Sequence, residues 1–292
     1  MGGLGAYVRA LRPHQWVKNA LLFLPMLTAH TFSWHNIALL CWAVAAFCLT
    51  ASATYIVNDM IDLEADRHHR SKRNRPLAKA EITLAGARIL ALALIVAGAG
   101  LASIVSLPFL AALGVYVAGT LGYSLALKRR PVVDVLILAG LYTLRVVAGG
   151  VALRIPISAW LLAFCLFLFL CLAFVKRLTE LQSLPAGADA TRMGRGYRQD
   201  DIPLLLILCA VSGYVSVLVL ALYVNSPVVA TLYSHPEGLW GVCLLLLYWI
   251  TRTLLLTHRG EIHDDPVLFV LKDGTSLGIL GLTALIIGAC AL

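Results

Sequence analysis

Residues 58-NDMIDLEADRHHRSKRNRPLA-78 close a long apolar run and place Asn58, Asp62 and Asp66 at i, i+4 and i+8. On a helix this spacing puts three oxygen-bearing side chains on one face over two turns, with Asp59 at its edge. Like charges so arranged repel, and at the end of a membrane helix they are costly. A divalent cation with oxygen ligands offsets that cost. Mg2+ fits best, because it takes one or two carboxylates and completes its shell with water and phosphate oxygens. The cations that follow (Arg67, Lys72, Arg73, Arg75) then suit the phosphate oxygens of a substrate. The competing reading is a solvated acidic cap leading into a topogenic loop, but such a loop needs no stacked carboxylates.

The surrounding chain sets the solvent for this motif. Of 292 residues, 60% are hydrophobic and 13% charged, and mean hydropathy is +0.87. A soluble domain is nearer 45–50% apolar and about 25% charged. The composition excludes a disordered chain, a nucleic-acid module and an ordinary cytosolic enzyme, and leaves a polytopic all-α membrane protein. Nine spans are expected, at 15–33, 36–61, 83–105, 108–127, 132–153, 157–182, 202–226, 237–257 and 273–291, forming one transmembrane domain over 1–292. Pro25 is expected to kink the first. The N-terminus carries basic residues without a small-residue cleavage site after its apolar run, so the first span reads as retained and not as a signal peptide. All seven cysteines lie in apolar stretches with no CxxC pair, so they read as buried free thiols.

Net charge is +8, and the basic residues alternate between loops. One side holds Arg9, Arg12 and Lys18, then Arg67 to Lys79, Lys128 to Arg130, Arg192, Arg195 and Arg198, and Arg259 and Lys272; the other holds essentially only Arg154. The positive-inside rule puts the first side in the cytoplasm, with the N-terminus inside, in the inner membrane. No nucleic-acid partner is needed to explain the charge. Nearly all acidic residues share that side, including Asp134, Glu180, Asp200, Asp201, Asp265 and Asp273. Topology does not require them there. A polar site opening to the cytoplasm does, whereas a transporter would place ionisable groups nearer the midplane.

The segment 58–78 resembles the first aspartate-rich motif of the UbiA superfamily of intramembrane prenyltransferases, roughly NDxxDxxxDxxxxxKxxRP. The resemblance implies a nine-helix bundle whose central cavity opens to the cytoplasm and laterally to lipid. It also implies a second aspartate-rich motif after the sixth span, for magnesium and a prenyl diphosphate. Here the chain departs: that span ends in 176-KRLTEL-181, followed by Arg192, Arg195, Tyr197 and Arg198, with no clear DxxxD. Two cations and one carboxylate favour direct phosphate binding over a second metal. The stretches 12-RPHQWVKNALLFLP-25, 123-YSLALKRRPVVDVLILAGLYTLRVVAGG-150, KRLTEL, 197-YRQDDIPLL-205 and 264-DDPVLFVLKDGTS-276 are similar to the decaprenyl-phosphate phosphoribosyltransferase branch of that superfamily.

That similarity implies Mg2+-dependent transfer of 5-phosphoribose from phosphoribosyl pyrophosphate to a polyprenyl phosphate, with diphosphate released, toward an arabinose donor for the cell envelope. Asp59, Asp62 and Asp66 then carry the chemistry, and Asn58, Asp62 and Asp66 hold the metal. Lys18, Asn58, Lys72, Arg73, Tyr123, Lys128, Arg145, Lys176, Arg177, Glu180, Tyr197 and Arg198 bind substrate. Arg145 stands out, because it lies about 13 residues into the fifth span, roughly 20 Å from its end. An arginine at that depth needs either a buried polar partner or a substrate phosphate. Arg129 and Arg130 suit a topogenic role equally well. His68 and His69 suit a surface loop better than Mg2+, which prefers oxygen. The alternatives are an aromatic prenyltransferase using a polyprenyl diphosphate, and a lipid or ion transporter. The oligomeric state stays open, a homo-oligomer included.

Overall fold

The computed structural model describes residues 3–68, 72–184, 196–262 and 265–291. His69, Arg70, Arg192, Arg195 and Asp264, named above, lie outside them, as do Asp189 and His263. Among the described residues every regular element is helical. The chain divides into two compact units, Met1–Leu127 with Leu144–Pro156, and Lys128–Thr143 with Ile157–Leu292.

The first unit holds α1 (Leu4–Ala10), a 3-10 segment (Pro13–Phe23), α2 (Leu24–Thr28), α3 (Trp34–Ile61), α4 (Leu63–His68), a 3-10 turn (Lys72–Asn74), α5 (Leu84–Val105) and α6 (Leu107–Leu125). The second half of α7 (Val133–Leu153) also belongs to it. Side-chain oxygens of Ser33, Thr83 and Ser106 cap α3, α5 and α6 by accepting the N–H groups of Asn36, Gly86 and Phe109. Without water in the bilayer, each such cap satisfies a group that the helix cannot. Helix α5 presents Ala87, Ala91, Gly98 and Ala102 as a small-residue seam to α3. A Cβ on Gly98 would lie 2.3 Å from Thr50 Oγ1, so this glycine sets the closeness of α3 and α5. Small residues allow such packing where lipid tails supply no hydrophobic drive between helices.

In the second unit, the first half of α7 is followed by α8 (Ala159–Gln182), α9 (Ile202–Val224), α10 (Pro227–Leu232), α11 (Leu239–His258), α12 (Pro266–Lys272) and α13 (Gly274–Ala291). Helices α8 and α9 form its main pair. Gly213 permits it, since a Cβ there would stand 2.7 Å from Ile250 and 3.1 Å from Cys171 Sγ.

Eight helices among the described residues (α3, α5 to α9, α11 and α13) are long and apolar enough to cross a membrane. Their bounds fall within a few residues of the last eight expected spans. The first expected span, 15–33, is corrected. It is not one α-helix: an eleven-residue 3-10 segment leads into the five-residue α2, and His30 turns the chain at φ 52°. At about 2.0 Å per residue for the 3-10 part and 1.5 Å for α2, the two pieces supply about 30 Å of rise. Pro25 stands in the first turn of α2 and does not kink a continuous helix.

The register of this segment explains its form. In a 3-10 helix, residues three apart eclipse one another. Trp16, Asn19 and Leu22 therefore share one edge. Trp16 Nε1 donates to Ser52 Oγ at 3.0 Å, and Asn19 Nδ2 donates to Cys48 Sγ at 3.3 Å. Leu22 is fully buried, with its backbone against Gly149: a Cβ on that glycine would sit 2.0 Å from the Leu22 carbonyl oxygen. One cysteine expectation is also corrected, since Cys41 is exposed while the other six are buried free thiols.

Candidate active site

The aspartate motif straddles a break between two helices. Helix α3 ends at Ile61, Asp62 is its C-cap, and α4 starts at Leu63. The Asp62 N–H still donates to Asn58 O at 2.9 Å, and the Asp66 N–H to Asp62 O at 2.8 Å. The i, i+4, i+8 relation therefore survives the break. Asp59 and Asp66 are buried at 5% and 3% exposure, while Asn58 and Asp62 are half-buried. Ala10, Ile56, Leu77 and Ile82 wall in Asp59.

Two arginines balance the two buried carboxylates. Arg75 Nη1 donates to Asp59 Oδ1 at 2.9 Å and also to Asp66 Oδ2. Arg12 Nη2 donates to the same Asp59 oxygen, and its guanidinium lies 5.3 Å from the centre of the Tyr55 ring. Burial pushes the Asp66 carboxyl above its ordinary range, with Arg75 and Lys72 pulling the other way and Asp59 adding to the rise. Lys72 is half-buried and Arg73 exposed in the 3-10 turn after α4.

A second polar group lies deeper in the same unit. Arg145 is 4% exposed; its Nε donates to Asn19 Oδ1 at 3.1 Å and its Nη2 to Tyr116 OH at 3.0 Å. The guanidinium also stands over the Tyr116 ring at 4.8 Å. Lys18, also buried, is the neighbour of Asn19 on the 3-10 segment. Tyr123 is half-buried in the last turn of α6.

Three expected residues of the second unit, Arg177, Glu180 and Tyr197, gather around Asp134, which lies in the first turn of α7 with no exposed surface. Arg177 Nε and the Tyr197 hydroxyl, the latter at 2.6 Å, both donate to Asp134. Tyr197 OH accepts the Val132 N–H at 2.8 Å, and Arg177 Nη1 donates to Glu180. Burial and then Asp134 push the Tyr197 phenol well above its usual range. Lys176 Nζ stands 3.4 Å from Asp265, whose carboxylate also caps α12. The Arg198 side chain is exposed, and its backbone N–H donates to Asp201 at 2.8 Å. Lys128 is half-buried in a 3-10 turn, Leu127–Arg129.

Arg12, Asn19, Tyr116, Asp134 and Asp265 are the partners that sequence reasoning left off the site. Arg12 read as one more topogenic cation, and Asp134 as one more loop carboxylate. The only available signal was composition, because their partners lie 29 to 126 positions away.

Among the described residues no three His, Cys, Asp or Glu side chains already converge as a metal cage. Mg2+ does not need one, because it usually takes one or two carboxylates and keeps waters or phosphate oxygens. The donor set at 58–66 is all oxygen, and Asp66 is a buried carboxylate whose ionised form a cation would favour. The residues therefore fit a magnesium ion.

Eight membrane-length apolar helices among the described residues, with a carboxylate motif at the end of one of them, fit an enzyme embedded in a membrane. Residues 20–272 match the UbiA prenyltransferase family, and the chain belongs to that family of membrane-embedded enzymes. A UbiA homolog from Archaeoglobus fulgidus, solved bound to GPP and Mg2+, superposes with a TM-score of 0.70 at 17% identity, covering 97% of each chain. The chain is 38% identical over 280 residues to the uncharacterized protein y4nM of Sinorhizobium fredii, covering 95% of this chain but only 54% of that protein. It is 36% identical to the nodulation protein NoeC of Azorhizobium caulinodans, covering 94% and 90%. The decaprenyl-phosphate phosphoribosyltransferase of Corynebacterium glutamicum is 39% identical over 179 residues, 60% of this chain and 54% of that one.

Proposed function

We propose that the protein transfers 5-phosphoribose from phosphoribosyl pyrophosphate to a polyprenyl phosphate, with the active site facing the cytoplasm and the lipid tail in the bilayer. The observation that carries this reading is the state of 176-KRLTEL-181. Aromatic prenyl transfer on this fold implies a second aspartate motif there. The chain instead has Arg177 and Glu180 bound to each other, with Arg177 also on Asp134. One carboxylate motif remains for a metal-bound diphosphate. The 39% identity to a decaprenyl-phosphate phosphoribosyltransferase supports the same reading.

In this reading Asn58, Asp62 and Asp66 hold Mg2+, which when bound supplies charge to stabilise the departing diphosphate. Lys72 and Arg73 bind its oxygens, and Asp59 keeps the neighbouring arginines in place. Lys18, Tyr123 and Arg145 on the first unit, and separately Lys128, Lys176 and Arg198 on the second, are the side chains this reading gives to substrate phosphates. The ribosyl C1–O bond to diphosphate breaks, and a lipid phosphate oxygen forms the new bond to C1 from the opposite face. That oxygen is already anionic near neutral pH, so the chain needs no strong general base.

The test is diphosphate release by detergent-purified protein, with Mg2+ and with EDTA. One reaction holds phosphoribosyl pyrophosphate and decaprenyl phosphate; the other holds a prenyl diphosphate and 4-hydroxybenzoate. Mg2+-dependent release with a new phosphoribosyl lipid in the first alone is expected. Release in the second alone makes the protein an aromatic prenyltransferase.

A further inference from the structure

The two cations of 176-KRLTEL-181 meet different surroundings. Arg177 is sealed on Asp134 and Glu180, whereas the Lys176 side chain is 32% exposed and turns to Asp265, at the start of α12. That pair is 3.4 Å apart, longer than the roughly 2.7–2.9 Å of a charge-assisted hydrogen bond. The other end of α12 is gripped firmly. Arg252 donates twice to Asp273, at 2.7 and 3.0 Å, and Asp273 also accepts from the N–H and hydroxyl of Ser276. Asp265 keeps a partner whatever Lys176 does, because its other oxygen accepts the Val267 N–H at 3.2 Å.

The depth of these ties says what can reach Lys176. Lys176 stands six residues before Gln182, the last of α8, and Arg252 six before His258, the last of α11. At about 1.5 Å per residue, both ends of α12 are tied roughly 9 Å inside the ends of those helices. Helix α12 therefore lies across the rim of the second unit and not beyond it. An ammonium at this depth is within a lysine side chain's reach of the lipid headgroups. Phe269 packs on the core of the unit, while Leu271, and Leu277 and Leu280 on α13, leave apolar surface exposed. An anion bound at this rim must tolerate an apolar neighbourhood. A phosphate carried on a hydrocarbon chain does; a sugar phosphate, polar throughout, does not.

We infer that Lys176 and α12 form the site for the phosphate monoester of the lipid substrate, and that Asp265 is the counter-charge this phosphate displaces. With the site empty, the Lys176 ammonium rests on Asp265. With lipid bound, it donates to a phosphate oxygen, and Asp265 stays on the Val267 N–H. This rests on the reading that the acceptor is a polyprenyl phosphate. It assigns Lys176 to the lipid and not to the 5-phosphate of the sugar, the two sources of a phosphate monoester.

The experiment is equilibrium binding to detergent-purified protein of two probes, farnesyl phosphate and phosphoribosyl pyrophosphate with Mg2+. Lys176→Gln should weaken farnesyl phosphate about tenfold, the scale of one charge-assisted hydrogen bond, and leave phosphoribosyl pyrophosphate within about twofold. Retained sugar binding shows that the variant is folded. Lys176→Arg, which keeps the charge, should restore farnesyl phosphate binding. Asp265→Asn keeps an oxygen for the Val267 N–H and removes the competing charge, so it should tighten farnesyl phosphate about threefold. Weakened phosphoribosyl pyrophosphate with unchanged farnesyl phosphate in Lys176→Gln gives the site to the sugar and overturns the inference. So does unchanged binding of both, or a loss of farnesyl phosphate in Asp265→Asn. Turnover separates this from the reading beneath it. Wild type that binds farnesyl phosphate through Lys176 yet makes no phosphoribosyl lipid refutes the proposed reaction and not the site. Wild type that makes the lipid, with farnesyl phosphate binding unaltered in Lys176→Gln, refutes the site alone.

Discussion

Two buried charge clusters in this protein are built from similar residues to different ends. At Asp59 and Asp66 the guanidiniums of Arg12 and Arg75 are partly exposed and come from loops around the helix end. At Asp134 the Arg177 guanidinium is 1% exposed and the carboxylate 0%, with Tyr197 and Glu180 closing the remaining directions. The first cluster can exchange partners because solvent reaches its cations. The second is sealed, and a sealed ion pair costs more to break than it contributes when formed. Charge in a membrane protein is thus not itself a mark of the site. Access to the cation distinguishes the two clusters: the Arg12 and Arg75 side chains are partly exposed, and that of Arg177 is not. Arg177, which the motif 176-KRLTEL-181 puts forward for phosphate, has its guanidinium on two carboxylates.

The contrast breaks most sharply at Asp62. If Asp62 holds the metal of the proposed phosphoribosyl transfer, Asp62→Ala should reduce that activity to background, roughly 10⁴-fold, because such a metal supplies several kcal/mol of transition-state stabilisation. Its thermal unfolding midpoint in detergent should stay near wild type, and near-wild-type diphosphate release by this variant would sink the metal assignment. Asp134→Ala should do the reverse. Removing one partner of a buried ion pair costs about 3–5 kcal/mol, seen as a large drop in the unfolding midpoint. A stable Asp134→Ala protein with lost activity would turn the second cluster into a substrate site.

Gly149→Ala tests the 3-10 segment beneath the first cluster. Its Cβ would meet the Leu22 carbonyl at 2.0 Å, and over-packing of this kind costs about 1–3 kcal/mol. The unfolding midpoint should fall. Tyr197→Phe is the mildest change: it removes one hydrogen bond to Asp134 and the acceptor of the Val132 N–H. The expected cost is about 1–2 kcal/mol. Burial and Asp134 already hold the phenol neutral well into the alkaline range. The alkaline limb of a pH–rate profile should therefore not move in Tyr197→Phe; a shift would give this tyrosine a proton to transfer.

Much of this was legible in the residues alone. Apolar runs of 18 or more residues with charged ends can only be helices in a bilayer, because every backbone group must bond within its own segment. Eight of the nine expected spans follow from that, and in the structure Ser33, Thr83, Ser106 and Ser158 cap four of them. The i, i+4, i+8 spacing at Asn58, Asp62 and Asp66 is local, so it survived even the helix break at Asp62. Partner choice was not legible. Which carboxylate receives Arg12, Arg145 or Arg177 depends on contacts far apart in sequence, and composition holds no record of them.

The sequence by itself determined the solvent, the helices and the face of the aspartate motif, because hydropathy and local hydrogen bonding act over a few residues. The tertiary structure alone decided the form of Pro13–Phe23. An α-helix would turn Leu22 about 240° from Trp16 over six residues, whereas the 3-10 form keeps Trp16, Asn19 and Leu22 on one edge. Ser52, Cys48, Arg145 and Gly149 wait along that edge. The neighbours, and not the propensity of the segment, select the tighter helix.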